Sequence, residues 1–394
     1  MVSRAADCTM VQPENVGSQD RRDKKVLFII DRLMHYHRAT VCALESELEA
    51  AGHQFFLLSS QDRPGAVGRA ALGIKVLRNH DFFKLAEFSI GTYTIRYQHD
   101  LVRHVREIAP DIVISTCHSG TLSEWRLASL KQTLGFKLVA WQCGYEFNPG
   151  YLKQYVLGKF VPRFDHHLAY HTNAKKYALA HGARPEQVTV MHNTINEASI
   201  ACLPKQEARK IVFDRWPSLT GKHIVLYVGA VLEEKRLDLV FDALDVLGRS
   251  DIVFLLVGDG PYLRSIKQRF GTRSDFVSTG QIVDGVGPYF DAADVFVLPG
   301  TGGLAINEAM AHGLPIISGY ADGSADDLVV DGENGYRLRE DTAEELADRI
   351  ERVIDDPAEA ERMGRVSRQW ITGKFAFRVF IDRIVKALTA VAAS

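Results

Sequence analysis

Short apolar runs alternate with helical patterns through the first half of the chain. Strands are predicted at 26–30, 54–58, 111–115 and 137–141, and helices at 39–51, 101–108 and 123–133. Alternation of this kind predicts a parallel sheet with helices on both faces. In such sheets ligands bind beyond the carboxyl ends of the strands.

The same alternation restarts after a polar segment near residues 200–206. Further strands are predicted at 224–228, 252–257, 276–279 and 295–298, with a helix from Leu237. The chain has 394 residues, a length that fits two domains better than one. We expect an α/β protein with domains at 24–203 and 204–369 and a final helical segment at 370–394.

Composition excludes several classes of protein. The chain is 46% hydrophobic and 24% charged, with a formal net charge of −2, which argues against a dedicated nucleic-acid binder. No apolar run is long enough to span a bilayer. Residues 1–23 lack an apolar core, so we expect a disordered tail rather than a signal peptide. Five scattered cysteines suit a reducing cytoplasm.

The most informative stretch is 295–315. An apolar run ends at Pro299, three glycines surround Thr301, and helix formers follow from Leu304. This predicts a buried strand, a glycine loop and a helix start, where the backbone N–H groups of Gly302, Gly303 and Leu304 would hold a phosphate. Glu308, one turn further, can accept hydrogen bonds from sugar hydroxyls. The alternative is a solvent-facing carboxylate beside His312.

Three loops of the first half follow predicted strands and carry polar side chains. They are 31–38 with Arg32, His35 and His37, 116–121 with His118, and 142–150 with Tyr145 and Glu146. The alternative for the first loop is a polar helix cap, and a lone histidine is as often structural. Of these groups, Glu146 is the carboxylate to test first.

The run from Gly303 through Glu308 to Pro315, followed by 331–335 (Asp-Gly-Glu-Asn-Gly), resembles the C-terminal signature of retaining glycosyltransferase family 4. The resemblance implies the GT-B fold, in which two Rossmann-like domains face each other across a cleft and the last helix packs back on the first domain. It also implies transfer of a sugar from a nucleotide-diphospho-sugar to a hydroxyl acceptor. A saccharide or lipid-linked glycan in bacterial-type polysaccharide or glycoconjugate synthesis is the expected acceptor.

The resemblance assigns roles to residues. The first domain would bind the acceptor through Arg32, His35, His37, His118, Tyr145 and Glu146. The second would bind the donor through Gly229, Lys235, Arg236, Gly258, Gln281, Ile282, Gly302, Gly303, Leu304 and Glu308. Lys235, Arg236, Glu308 and Glu146 are the expected catalytic residues. Three positions depart from the family: Gly300 replaces its first motif glutamate, Ala230 replaces an arginine, and Cys143 replaces a histidine.

The resemblance further implies a metal-independent reaction without a cofactor, in which cations and the helix start meet the charge of the leaving diphosphate. A nucleotide-sugar epimerase or hydrolase and a catalytically degenerate binding subunit remain alternatives. Aromatic and basic residues interleave at 82–106 and 151–163. Such stretches are either packed helices or surfaces for an anionic membrane, which would place a cytoplasmic protein at the inner membrane face.

Overall fold

A computed structural model of the chain describes residues 23–61, 74–90, 93–144, 150–282 and 284–393. The disordered tail expected at 1–23 lies, except for Asp23, outside the described residues. Within them the first sheet comprises β1 (Lys24–Ile30), β2 (His53–Ser60), β3 (His80–Phe83), β6 (Ile112–Ser115), β7 (Lys137–Gln142), β8 (His166–Ala169) and β9 (Val188–Val190). All of its strand pairs are parallel, in the order β3-β2-β1-β6-β7-β8-β9.

Between β3 and β6 the chain forms an antiparallel hairpin of β4 (Leu85–Ile90) and β5 (Tyr93–Gln98). The helices of this half are α1 (His37–Ala50), α2 (Leu101–Ile108), α3 (Leu122–Leu134), α4 (Tyr151–Phe160) and α5 (Thr172–Ala180). The hairpin corrects the interpretation of 82–106 as a packed helix, because only its last part is helical. β-branched and aromatic residues dominate β5, and they favour strands.

The strands of the second sheet are β10 (His223–Val228), β11 (Ile252–Val257), β12 (Phe276–Gly280), β13 (Val295–Leu298), β14 (Ile316–Ser318) and β15 (Gly335–Arg337). Their order in the sheet is β12-β11-β10-β13-β14-β15, and all of the pairs are parallel. β11 and β13 are unbroken apolar runs in which every residue is buried, as expected for strands covered on both faces.

Helices cover both faces of this sheet. They are α6 (Lys205–Arg215), α7 (Asp238–Leu247), α8 (Leu263–Phe270), α9 (Gly287–Ala292), α10 (Leu304–Ala311), α11 (Ala325–Leu328), α12 (Ala343–Asp355) and α13 (Pro357–Thr372), and α14 (Phe377–Ala393) ends the chain. No helix among the described residues is long and apolar enough to cross a membrane.

Each sheet has one point where the strand order reverses. In the first sheet it lies between β1 and β6, and in the second between β10 and β13. Ligands of doubly wound sheets bind outside the carboxyl ends of the strands at such switch points. The topology therefore places one candidate site in each domain.

The two sheets have separate cores, and the chain returns to the first one at its end. Phe380, Ile384 and Leu388 of α14 pack with the strands of the first sheet, whereas Ile371 and Phe375 pack with the second. The final segment is two helices rather than the single one predicted from 370, because the chain breaks at Gly373.

The domains meet where the acidic helix α11 faces the start of α5. Asp327 Oδ2 accepts a hydrogen bond from the backbone N–H of Thr172 at 2.7 Å and lies 3.3 Å from His192 Nδ1. Asn173 donates to Asp326 of the same helix at 2.5 Å. A carboxylate at a helix N-terminus is electrostatically favourable, so these contacts join the two domains at the start of α5.

Candidate active site

The second domain presents its glycine loop at the switch point. β13 ends at Leu298, and α10 begins at Leu304 after residues 299–303. No side chain of the described residues caps this helix, so the N–H groups of its first turn and the positive end of its dipole are available to an anion. Gly302, Gly303 and Leu304 form this loop and helix start, and their assignment to a phosphate stays a prediction.

Lys235 lies over this loop. It closes the short 3-10 turn Glu233–Lys235 that follows β10, and its Nζ donates a hydrogen bond to the carbonyl oxygen of Thr301 at 2.5 Å. The same nitrogen is 3.0 Å from the position that a Cβ on Gly302 would take. The ammonium and the uncapped helix start therefore converge on one place, as a diphosphate site requires.

Gly300 has no room for a side chain. A Cβ at this position would lie 2.1 Å from the carbonyl oxygen of Glu234 and 2.5 Å from the carbonyl carbon of Lys235. The N–H of Thr301 donates to the same Glu234 oxygen at 2.8 Å, which fixes the two segments together. Backbone thus occupies the space where the family carries its first motif glutamate.

Arg236 and Ala230 are engaged within the second domain. The guanidinium of Arg236 forms an ion pair with Asp341, at 2.7 Å from NH1 to Oδ2. The carbonyl of Ala230 accepts a hydrogen bond from the hydroxyl of Tyr227 at 2.8 Å. The assignment of Arg236 to the diphosphate stays a prediction, and it requires the guanidinium to exchange Asp341 for the phosphate.

Glu308 lies one turn inside α10 on the side that faces the first domain. Burial raises the pKa of this carboxyl, while His312 and His35 lower it. His35 belongs to the loop after β1, so its effect on this pKa shows that a charged group of the first domain lies within electrostatic range of Glu308. This location suits a carboxylate that reads a ligand held between the domains.

Asp322 is a feature of this site that sequence reasoning missed. Its Oδ2 lies 2.7 Å from the position of a Cβ on Gly303, and its Oδ1 accepts a hydrogen bond from the backbone N–H of Ser324 at 3.0 Å. A carboxylate therefore lies against the start of α10. The only sequence signal was an acidic residue in the loop after β14, a strand next to β13.

The remaining predicted donor residues follow neighbouring strands. Gly229 and Gly258 come directly after β10 and β11, and the N–H of Gly258 donates to the carbonyl of Gly280 at 2.9 Å. Gln281 and Ile282 come after β12, where Gln281 is exposed and Ile282 packs against the core. All four lie at the carboxyl edge of the second sheet.

The first domain has a cavity of about 210 Å³ at its own switch point. Three predicted acceptor residues, Arg32, His37 and His118, line it. His37 is the first residue of α1 rather than part of the loop, and its Nδ1 accepts a hydrogen bond from the backbone N–H of Met34 at 3.1 Å. Burial lowers the pKa of both histidines, that of His37 to about 4.

The other predicted acceptor residues are His35, Tyr145 and Glu146. His35 does not line the cavity, and its charge lowers the pKa of Glu308 in the second domain. Tyr145 and Glu146 lie outside the described residues. Their assignment therefore stays a prediction.

Two carboxylates were not predicted: Asp31 lines the cavity, and Glu124 contacts Thr116 and His118 of its lining. Asp31 is the residue directly after β1, and Glu124 lies in the first turn of α3. Burial, together with the charge of Asp31, raises the pKa of Glu124 to about 8. Its two oxygens accept hydrogen bonds from the hydroxyl of Thr116 at 3.1 Å and the N–H of His118 at 2.9 Å. Asp31 had a signal, since it ends the strand at the switch point.

Comparison with known proteins identifies the second domain. Residues 222–356, which include Lys235, the glycine loop and Glu308, match the family model for Glycosyl transferases group 1. The second domain is similar to the group 1 glycosyl transferases over these residues. The predicted resemblance to this class of enzymes is confirmed.

Relatives and solved structures agree with this assignment. This chain is 31% identical over 169 residues to a sulfoquinovosyl transferase of Arabidopsis thaliana. The match covers 41% of this chain and 32% of that protein. It is also 33% identical over 151 residues to a GDP-mannose-dependent alpha-mannosyltransferase of Corynebacterium glutamicum, covering 37% and 35%. The chain thus spans about a third of the length of these relatives.

The whole architecture matches a solved structure. HepE of Anabaena, crystallised with UDP, superposes with a TM-score of 0.74 at 17% identity, over 93% of this chain and all of that one. The fold of the chain is therefore GT-B, as predicted.

Proposed function

We propose that the protein is a retaining glycosyltransferase that moves a sugar from a nucleotide-diphospho-sugar to a hydroxyl acceptor. The observation that carries this proposal is the position of the Lys235 ammonium over the uncapped start of α10, with Glu308 one turn away facing the first domain. A diphosphate held there points its sugar into the cleft between the two switch points.

The chemistry follows from this arrangement. As the bond between the sugar and the diphosphate breaks, negative charge develops on the leaving oxygen, and Lys235 and the N–H groups of 302–304 stabilise it. In a front-face substitution the acceptor hydroxyl attacks from the same side and gives its proton to the leaving diphosphate. Because these groups already meet the charge, we propose that no metal ion is needed.

The names of related proteins support the class of donor. One relative is named for GDP-mannose, another transfers sulfoquinovose, and HepE was crystallised with UDP. We propose a saccharide or lipid-linked glycan as the acceptor, in polysaccharide or glycoconjugate synthesis of the bacterial type. Tyr151 and Leu152 at the start of α4 are 87% and 76% exposed, which suits peripheral contact with the inner membrane face.

The experiment is a thermal-shift screen of the full chain with UDP-, GDP-, ADP- and dTDP-sugars, followed by calorimetry of the nucleotide diphosphate that binds. Lys235→Ala should lower its affinity about ten-fold or more, because a charge-assisted hydrogen bond is worth ~1.5–3 kcal/mol. Lys222→Ala is the matched control, since Lys222 also donates to a single carbonyl, that of Ser274, but at the opposite end of the sheet. Equal affinity of wild type and Lys235→Ala would refute the donor site.

Product analysis separates the proposed activity from its rivals. A transferase consumes the nucleotide-sugar faster when a sugar or cyclitol acceptor is present, whereas an epimerase or hydrolase does not. Binding without turnover under any condition would identify a nucleotide-sugar-binding subunit instead. This last outcome needs its own test, because Gly300 stands where the family carries its first motif glutamate and backbone fills the space beside it.

A further inference from the structure

Three residues that can bind a metal ion converge at the end of α10 that is remote from the glycine loop. They are Cys202, on the segment between β9 and α6, Asp291 of α9, and His312, which follows the last residue of α10. The thiol sulfur, a carboxylate oxygen and a ring nitrogen all lie within 4.8 Å of one another. No other group of three such ligands occurs in the described part of the chain. Segments far apart in the sequence therefore place a sulfur, an oxygen and a nitrogen around one point.

The carboxylate and the imidazole of this group are buried and already in contact. The side chains of Asp291 and His312 are 3% and 2% exposed, and Asp291 Oδ1 lies 2.7 Å from His312 Nδ1. Asp291 Oδ2 accepts a hydrogen bond from the backbone N–H of Leu203 at 2.8 Å. The His312 ring stacks on Phe290, with centroids 4.9 Å apart and planes inclined by 6°. Both potential ligands are thus held in fixed orientations beside Cys202.

The surroundings of Cys202 suit a bound cation. Its Sγ donates a hydrogen bond to the carbonyl of Ala311 at 3.6 Å, in the last turn of α10, and the carboxyl end of a helix dipole attracts positive charge. Burial raises the pKa of the thiol, whereas the nearby guanidinium of Arg368 lowers it. A thiolate and a carboxylate together carry two negative charges, and a divalent cation cancels them. Arg368 then faces no net positive charge.

The types of ligand select the metal. Cysteine sulfur, histidine nitrogen and carboxylate oxygen are the ligands that bind Zn²⁺ in proteins, in tetrahedral geometry. Mg²⁺ and Ca²⁺ take oxygen ligands instead. Bond lengths of about 2.0–2.3 Å at a tetrahedral centre separate neighbouring ligand atoms by roughly 3.3–3.6 Å. Atoms that lie within 4.8 Å of one another reach this spacing through small side-chain rotations.

We propose that Cys202, Asp291 and His312 form a zinc site, with water in the fourth position. The metal replaces the proton of the thiol, which is released to solvent. Bound zinc fastens the segment between the domains to α9 and to the end of α10. Its role is structural, because the eight residues of α10 span about 12 Å. A metal at the end of this helix therefore does not touch a diphosphate at its start, and the site does not depend on the proposed function.

Metal titration tests the site directly. The full chain is kept reduced, freed of metal with EDTA and then freed of EDTA, and titrated with Zn²⁺ by calorimetry and with Co²⁺ by absorption spectroscopy. We expect one equivalent of either ion per chain. The cobalt form should show the charge-transfer band of a thiolate ligand and the visible bands of tetrahedral coordination. Absence of stoichiometric zinc binding, competition by equimolar Mg²⁺, or a cobalt form without the thiolate band would overturn the proposal.

The decisive variant is Cys202→Ser, which keeps a donor for the carbonyl of Ala311 but removes the sulfur. Changing a residue that only supports a metal ligand typically costs ~10–100-fold in affinity, so loss of a ligand should weaken zinc binding at least as much and should abolish the thiolate band. Cys42→Ser is the matched control, because Cys42 is also partly buried but lies on α1 in the first domain. Unchanged zinc affinity in Cys202→Ser, or equal losses in the two variants, would refute the site.

Stability measurements separate a lost ligand from a lost fold. Without metal, Cys202→Ser should unfold in urea at the same midpoint as wild type. Zinc should raise the midpoint of wild type and of Cys42→Ser but not that of Cys202→Ser, because a ligand that binds only the folded state stabilises it. An equal rise in Cys202→Ser would contradict the assignment of the sulfur.

Nucleotide binding keeps this site distinct from the donor site. The zinc-free chain should bind the nucleotide diphosphate as tightly as the zinc-loaded chain does. Loss of nucleotide binding on removal of zinc would contradict a structural role for the metal. A chain that binds zinc but no nucleotide in either form would contradict the proposed function alone.

Discussion

Filling the space at Gly300 is the sharpest test of the donor site geometry. A Cβ there would lie 2.1 Å from the carbonyl oxygen of Glu234, and contacts of Cβ atoms under 3.0 Å are essentially never seen. In Gly300→Ala the 234–235 backbone must therefore shift by about an ångström, and overpacking of this kind typically costs ~1–3 kcal/mol. Because Lys235 lies on the displaced segment, its ammonium should also leave the glycine loop.

The assay combines stability with binding. Urea unfolding of Gly300→Ala should give a lower midpoint with an unchanged slope, and calorimetry should give weaker binding of the nucleotide diphosphate. Gly158→Ala is the matched control: Gly158 lies inside α4 with nothing within 4 Å of an added Cβ. In that variant an alanine should raise stability by up to ~1 kcal/mol.

Gly300→Glu restores the residue that the family carries. If the backbone contact is as rigid as the structure indicates, this variant should lose stability and donor binding rather than gain activity. Faster transfer in Gly300→Glu, or wild-type stability and affinity in Gly300→Ala, would show that the segment yields easily. The reasoning from the Glu234 contact would then be wrong.

Further predictions concern charged groups at the two sites. Glu308→Ala should weaken donor affinity more than Glu308→Gln, and a 2′,3′-dideoxy nucleotide should bind wild type and Glu308→Ala almost equally; equal preference for ribose in both proteins would contradict ribose reading. Transfer should survive EDTA, and loss that manganese restores would contradict metal independence. Asp322→Asn should bind UDP a few-fold more tightly, because a negative charge leaves the start of α10; unchanged affinity would exclude that repulsion. Burial raises the pKa of Glu124 from its ordinary value of 4.5 to about 8, so stability that is present below pH 4.5 is lost as the pH rises through 8. Urea unfolding should therefore show a loss of a few kcal/mol, at ~1.4 per pKa unit, that is absent in Glu124→Gln.

Local patterns predicted most of the fold because parallel α/β sheets carry strong local signals. β11 and β13 are unbroken apolar runs, and both had been expected within one residue of their observed bounds. The hairpin of β4 and β5 was missed, since its exposed Phe88 and Ile95 alternate with polar residues in a stretch whose cations suggested a helix face. The break at Gly373 was missed because apolar residues on either side continue a helical period.

At the donor site the sequence predicted the groups that a short local pattern is enough to indicate. A glycine loop before a helix indicates an anion site whatever surrounds it, and Lys235 was assigned by resemblance. The contacts that the sequence did not predict at this site come from segments far apart in the chain. Asp341 pairs with Arg236 across 105 positions, and the Glu234 carbonyl fills the space at Gly300. No spacing rule predicts such encounters, because they depend on how separate loops fold onto one another.

The relation between the two sites depends on still longer contacts. His35 affects the pKa of Glu308 only because the second domain is held against the first, and the hydrogen bond from Thr172 to Asp327 spans 155 positions. Asp327 also faces His192, on the segment that leads out of the first sheet. One carboxylate thus joins the start of α5, that segment and α11. The predicted donor site at α10 and the predicted acceptor residues of the first sheet belong to different domains, so transfer between them requires this junction to set their separation.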